Sequence, residues 1–312
     1  MNTTSGPVAL AATLEERLGD PYDPANPYGF RAILAAREAR QPLDDTPFDA
    51  FDAIDAIDVI GAADGDDDPE ALLHALRAGY RRSPALTRTG HTARWGSGAM
   101  TAGAAVGTLD SGLRMTLRHL RTRRLYGAAA VDIPQLRAVL AGAYADLLLC
   151  DALTTLAARG TDVLPTRPGA HAELVRALVP RVLQGAMDRL SIAMGSRFYI
   201  TEGEHAAFPL LLNEMQASLF TAAGRPARPA APADTAPLTG ITVTDLVTAP
   251  AITALYDPEL LAAAPGGTLT TRARRTPQPT GPAQERLYAE LNRRYDTGRS
   301  FDLAERSLPD RP

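Results

Sequence analysis

Between Ala104 and Tyr199 the chain carries two long runs of helical apolar spacing, joined through Arg123-Arg124-Leu125-Tyr126-Gly127. A third run closes on Ser191-Ile192-Ala193-Met194-Gly195-Ser196-Arg197-Phe198-Tyr199. Val106, Leu109, Leu113, Leu117 and Leu120 recur every three or four residues, which places them on one face of an α-helix. Leu136, Val139, Leu140, Ala143, Leu147, Leu153 and Leu156 give the second helix a broad apolar surface. Pro134 suits its first turn, with Asp132 as the expected cap. Leu174, Leu178, Val182, Met187 and Leu190 mark the third, His171 to Ala193, and Pro180 predicts a bend inside it. Apolar faces of this length must cover one another, so the spacing predicts an all-α helical bundle. Asp110 with Arg114, and Arg114 with Arg118, stand at i,i+4 and predict one charged, wet face.

Shorter helices are expected over Thr13–Gly19, Gly29–Arg40, Pro69–Arg82 and Glu202–Gln216. A weaker, acid-faced helix is expected around residues 49–58, and an amphipathic one over Ala283–Tyr295. Ser83 to Gly98 reads as loop, Gly224 to Pro237 as a Pro/Ala-rich linker, and the residues after Tyr295 as tail. The expected organisation is an amino-terminal helical part over 1–103, a four-helix bundle over 104–224, and a linker with a helical tail over 225–312.

Several functional classes are disfavoured. The formal charge is −4, so no basic excess is available for nucleic acid. The chain contains no Lys, and every fixed positive charge is an Arg. One cysteine, Cys150, allows neither an intrachain disulfide nor a Cys-rich zinc site. Met1 to Leu18 shows no signal-peptide pattern and no 18-residue apolar run is present, so a cytoplasmic protein without membrane partners is expected. Asp64, Asp66, Asp67 and Asp68 suggest a calcium loop, but the position that should hold Glu is Ala75; a solvated acidic loop before Pro69 fits better. No Walker, Rossmann or Gly-x-Ser-x-Gly motif occurs. His74, His119 and His171 stand isolated, and no His-x-x-x-His metal pair exists.

Arg197, Tyr199, Glu202, Glu204 and His205 form the densest ionisable set beside a glycine turn. A histidine near acids suits acid–base chemistry, with His205, Glu202 and Tyr199 as candidates. The Thr201 and Glu204 spacing reads equally as a capping box. Asp146 and Asp151 flank an apolar run, where burial would raise a carboxyl toward general-acid use, and Asp151 is the catalytic candidate of the two. Alternatively, one faces solvent and the other pairs with an Arg such as Arg176 or Arg181. Trp95, among Arg88, His91 and Arg94, either seals a cavity or belongs to a crossing loop.

The Arg123–Gly127 turn resembles the Arg-x-(Gln/Thr)-Phe-Gly turn of acyl-CoA dehydrogenases. Ile133–Arg137 with Leu147–Ala157 is similar to that family's next helix, and Ser191–Phe198 to its Gln-x-x-Gly-Gly-x-Gly-Tyr turn. Leu18 to Pro27 is also similar to the opening of acyl-CoA-dehydrogenase-like proteins, some of specialised metabolism. The resemblance implies FAD positions at Arg123 and Gly195 and a homo-oligomer assembled through the bundle. Trp95, Tyr126, Arg197 and Phe198 are the expected substrate contacts, around the space that flavin and acyl chain would vacate.

Two departures change the functional expectation. The family places a β-domain of about a hundred residues between its helical parts, where this chain has Ser83 to Gly103. The family's loop glutamate has no counterpart in Leu219–Gly224. Dehydrogenation needs a base and a flavin, and both are weakened. The expectation is therefore a flavin-independent enzyme catalysing a non-redox cyclisation, isomerisation or elimination on a polyketide-like small molecule. No cofactor and no metal are expected. The alternatives are a non-catalytic partner of a full-length dehydrogenase and a residual FAD enzyme.

Overall fold

A computed structural model describes residues 8–41, 69–86, 98–125, 127–160, 170–200, 202–220, 249–253 and 281–310. These residues are mostly helical. In chain order they form α1 (Ala9–Leu18), α2 (Phe30–Glu38), α3 (Pro69–Arg82) and α4 (Gly98–Thr122). The strands β1 (Arg124–Leu125) and β2 (Ala128–Ala129) follow. Then come α5 (Pro134–Ala158), α6 (Ala170–Met194), α7 (Ala207–Phe220), α8 (Pro250–Thr253) and α9 (Pro282–Asp296). The two strands pair antiparallel, Arg124 opposite Ala129 and Leu125 opposite Ala128. They are the only sheet among the described residues.

The periodic leucines do what their spacing predicts. Leu109, Leu113, Leu117 and Leu120 of α4 are fully buried, each contributing about 1.5–3 kcal/mol of apolar burial. Every residue of α5 from Leu140 to Leu156 is buried, because α4, α6 and α9 all pack on it. This is the one described helix long and apolar enough to cross a membrane by composition, and its apolarity is spent inside the bundle. Helix α4 also touches α3, α6 and α7. A Cβ at Gly107 would collide with the main-chain carbonyl of Arg77, so the α3–α4 approach requires a glycine there. Thr108 and Ser111 donate across the same seam to the carbonyls of Tyr80 and Arg81, at 3.1 and 2.7 Å. Helix α6 runs through Pro180 without interruption. Helix α7 starts at Ala207 rather than Glu202, after a 3-10 turn over Glu204–Ala206.

The structure corrects the wet face expected of α4. Asp110 and Arg114 do pair, at 2.7 Å, but both are buried. Charged residues from other elements cover them. Arg81 of α3 binds Glu15 of α1 at 2.8 Å, Asp110 at 3.3 Å and Asp310 at 2.5 Å. Residues 298–310 are no loose tail. They cross α4 and α5 as a strap whose Phe301 and Leu303 amides donate to Asp110 and Asp151, both at 2.5 Å. Arg114 stacks on the Phe301 ring, 4.1 Å from its centroid. Single-residue periodicity cannot distinguish a charged stripe facing water from one facing other charges.

The two α5 acids are likewise corrected. Neither lies at the surface: Asp146 and Asp151 are both fully buried. Asp151 pairs with Arg77 of α3 and accepts from Thr155, and Asp146 pairs with Arg189 of α6. The partners are neither Arg176 nor Arg181, which are exposed.

Candidate functional site

The carboxyl ends of α4 and α6 meet at one corner. His119 lies in the last turn of α4 and Arg123 one turn beyond it. After α6, Gly195 takes φ +60°, a conformation that favours glycine. A Cβ built there would stand 3.2 Å from an Arg123 guanidinium nitrogen, so the turn closes on that arginine. The 3-10 turn over Gly195–Tyr199 carries Arg197 and Phe198, and the next one carries Glu204 and His205. Phe198 anchors this loop on Phe208 of α7, with ring centroids 6.0 Å apart.

The chemical centre is a histidine pair. The His119 and His205 rings meet edge to face, with centroids 5.2 Å apart. His119 is 5% exposed and its Nε2 has no hydrogen-bond partner. Burial, then His205, Arg123 and Arg197, push its pKa down to about 4. Burial also lowers His205, where Arg197 and Arg118 together with that burial outweigh the opposing pull of Glu204. Both imidazoles are therefore neutral at pH 7. Arg118 approaches Glu204 at 3.7 Å. Among the described residues, Arg123 and Arg197 have no acidic partner. The corner thus joins two neutral imidazoles to two uncompensated guanidinium groups, a set able to move a proton and to stabilise developing negative charge.

The expected site residues divide. His205, Arg197, Phe198, Arg123 and Gly195 come together here. Tyr199 is 80% exposed and, like Ile192 at 78%, faces outward. Glu202 is exposed as well. Asp151 is held in its buried pair with Arg77, well inside the bundle. Trp95, Tyr126, His91 and the 64–68 acidic loop lie outside the described residues. His119 is isolated in sequence, so spacing alone does not select it. Its signal was its position one helical turn before Arg123, which puts both side chains on the same face.

No protein-family model, curated protein or solved structure matches the chain. Among the described residues no group of three or more His, Cys, Asp and Glu side chains could hold a metal ion. For a flavin, Arg123 and Arg197 offer charge for a diphosphate. The one sheet among the described residues has two residues per strand.

Proposed function

We propose that the protein is a flavin-independent enzyme of specialised, polyketide-type metabolism. It would catalyse a non-redox step on an acyl-type small molecule, a cyclisation, isomerisation or elimination that begins with proton removal beside a carbonyl. The observation carrying this reading is the His119–His205 contact with Arg123 and Arg197 unpaired beside it. His205, the more accessible ring, takes the proton. His119 donates a hydrogen bond to the carbonyl oxygen, and a neutral imidazole is the better-matched donor for an oxygen that becomes an enolate. The guanidinium groups supply the positive field that the enolate needs. The substrate class and assembly as a homo-oligomer are taken from the resemblance of the Arg123–Gly127 and Ser191–Phe198 turns to those of acyl-CoA dehydrogenases.

The test is solvent-deuterium wash-in. Purified protein is incubated in deuterium oxide with a panel of 3-oxoacyl and enoyl thioesters, and label beside the carbonyl is read by mass spectrometry. Label is expected with the wild type and is expected to fall about 100-fold or more in His205→Ala. Absence of label across the panel sinks the proposal. A yellow protein absorbing at about 450 nm, where bound oxidised flavin absorbs, favours the residual FAD enzyme instead.

A second reading has its own observation. Ile192 and Tyr199 are large, exposed and beside the same turn, as expected of a non-catalytic subunit docking on a full-length dehydrogenase. Ile192→Ser with Tyr199→Ser should then abolish co-purification with such a homologue while leaving the fold unchanged.

A further inference from the structure

The turn that carries His205 is lightly held. Glu204–Ala206 is entered through Gly203 at φ +71° and has no side-chain cap. Among the described residues, Glu204 forms one ion pair, with Arg118 of α4 at 3.7 Å, and no side-chain hydrogen bond. The side chains of Arg118 and Glu204 are 33% and 43% exposed, and a pair so open to water contributes little by itself.

Arg118 has a second contact that fixes it. Its guanidinium carbon lies 4.5 Å from the centre of the Tyr22 ring. That ring belongs to a loop bonded to itself. The Tyr22 amide donates to the Asp20 carboxylate at 2.9 Å, and the Asn26 side-chain amide to the Leu18 and Asp20 carbonyls at 2.7 and 2.6 Å. The loop is tied to α2 as well. The Phe30 amide donates to the Pro21 carbonyl at 2.9 Å, and the buried Phe30 ring meets Tyr22 edge to face, with centroids 5.4 Å apart. A flat guanidinium seated on a fixed ring has lost much of its freedom before it meets an acid. The stack therefore turns a weak surface pair into a directed one.

The pair also stands in the right place. Arg118 directly precedes His119 and Glu204 directly precedes His205, so it spans the same gap as the two rings, whose centroids are 5.2 Å apart. Both members are felt at the base: burial lowers the His205 pKa, Glu204 raises it, and Arg197 and Arg118 lower it.

We propose that Arg118 is a positioning residue. Clamped on Tyr22, it holds Glu204 and so sets the His205 ring against His119. The inference rests on His205 being the base of the proposed reaction, and it makes the amino-terminal loop part of the site.

Two neutralising variants of the full-length chain test it, Arg118→Gln and Glu204→Gln. Both side chains are partly exposed and α2 packs on the turn independently, so both variants should fold. Histidine-resolved NMR should show the nuclear Overhauser contact between the His119 and His205 rings weakened in each. Loss of Arg118 should raise the His205 pKa by about 0.5, and loss of Glu204 should lower it by about as much. Deuterium wash-in, read at a pH where His205 is neutral in all the proteins, should nevertheless fall about tenfold in both, because the base is misplaced in both. The double variant should lose no more than either single one. Arg118→Lys, which returns the charge without the flat face, should restore the pKa but not the ring contact. An unchanged ring contact in both variants overturns the proposal. So do wash-in rates that move in opposite directions with the pKa, or a lysine that restores the contact in full. A wild type that incorporates no label sinks the reaction above, while the ring contact still decides the positioning.

Discussion

Helix α4 serves two charged regions that differ in one respect. Around Asp110 and Arg114, arginines and carboxylates are matched across α1, α3, α4 and the strap, and the carboxylates accept strap amides as well. Around His119, nine residues and about 14 Å further along the helix axis, two arginines lack acidic partners and two imidazoles are held neutral. Buried charge that is matched holds a fold together; removing one partner costs more than the pair contributes. Charge left without an acidic partner at an accessible corner, where Arg197 is exposed and Arg123 half-buried, is solvated by water and remains open to an anionic ligand. The first region holds the fold together; the second is the one to which the proposed function is assigned.

The largest expected effect lies in the matched region. Arg81→Met removes the nearest cation from Glu15 and Asp310, leaves Asp110 to Arg114 alone, and should cost about 3–5 kcal/mol in urea unfolding. Asp151→Asn should act by the same route, weakening the fold through Arg77, with any loss of turnover following the loss of folded protein. A loss below about 1 kcal/mol in both would break the distinction drawn between the regions. Gly107→Ala, which drives a methyl into the Arg77 carbonyl, should cost about 1–3 kcal/mol as overpacking does.

In the unmatched region the pattern reverses. His205→Ala should change unfolding free energy by less than about 1 kcal/mol while removing the deuterium wash-in. The pH response sharpens the contrast. His119 titrates at about 4 when folded and at about 6.5 when unfolded. The unfolded chain alone takes up that proton between those values, so this stability is complete above pH 6.5 and declines as pH falls to 4. His119→Phe, which keeps the shape and removes the titration, should flatten that limb in melting experiments. Glu70, held at about 2 by His74 and Arg159 despite burial, extends the loss below pH 4.5 in both proteins. Asp310 adds to it. Burial alone would raise its pKa, but Arg81, Arg114 and Arg82 outweigh that and hold it low.

The helices were legible because a leucine every three or four residues has one physical reading. The four α4 leucines and the α5 surface fell where the spacing put them. What sequence could not supply was the partner of each charge. Asp110 and Arg114 have the same spacing in water or under a strap, and the groups that settle the matter come from Glu15, Arg81 and Asp310. The same limit divided the site. Arg197 and His205 stand close in sequence on two neighbouring 3-10 turns, whereas Arg123 and Gly195 enter only through the family resemblance. His119 is separated from His205 by the strands and the whole of α5 and α6, and only helical phase with Arg123 connects it. Asp151 attracted attention as an acid in an apolar run, and its burial is real, but a buried arginine from α3 had already claimed it.

The central claim is that the His119 corner holds uncompensated positive charge awaiting a ligand. Histidine-resolved NMR titration of the wild type tests it most directly, with acetoacetyl-CoA as the added probe. Both His119 and His205 should titrate below the ordinary 6.5, His119 near about 4, and both rings should shift when the thioester is added. Ordinary titration of both rings, with no response to the thioester, would contradict the account.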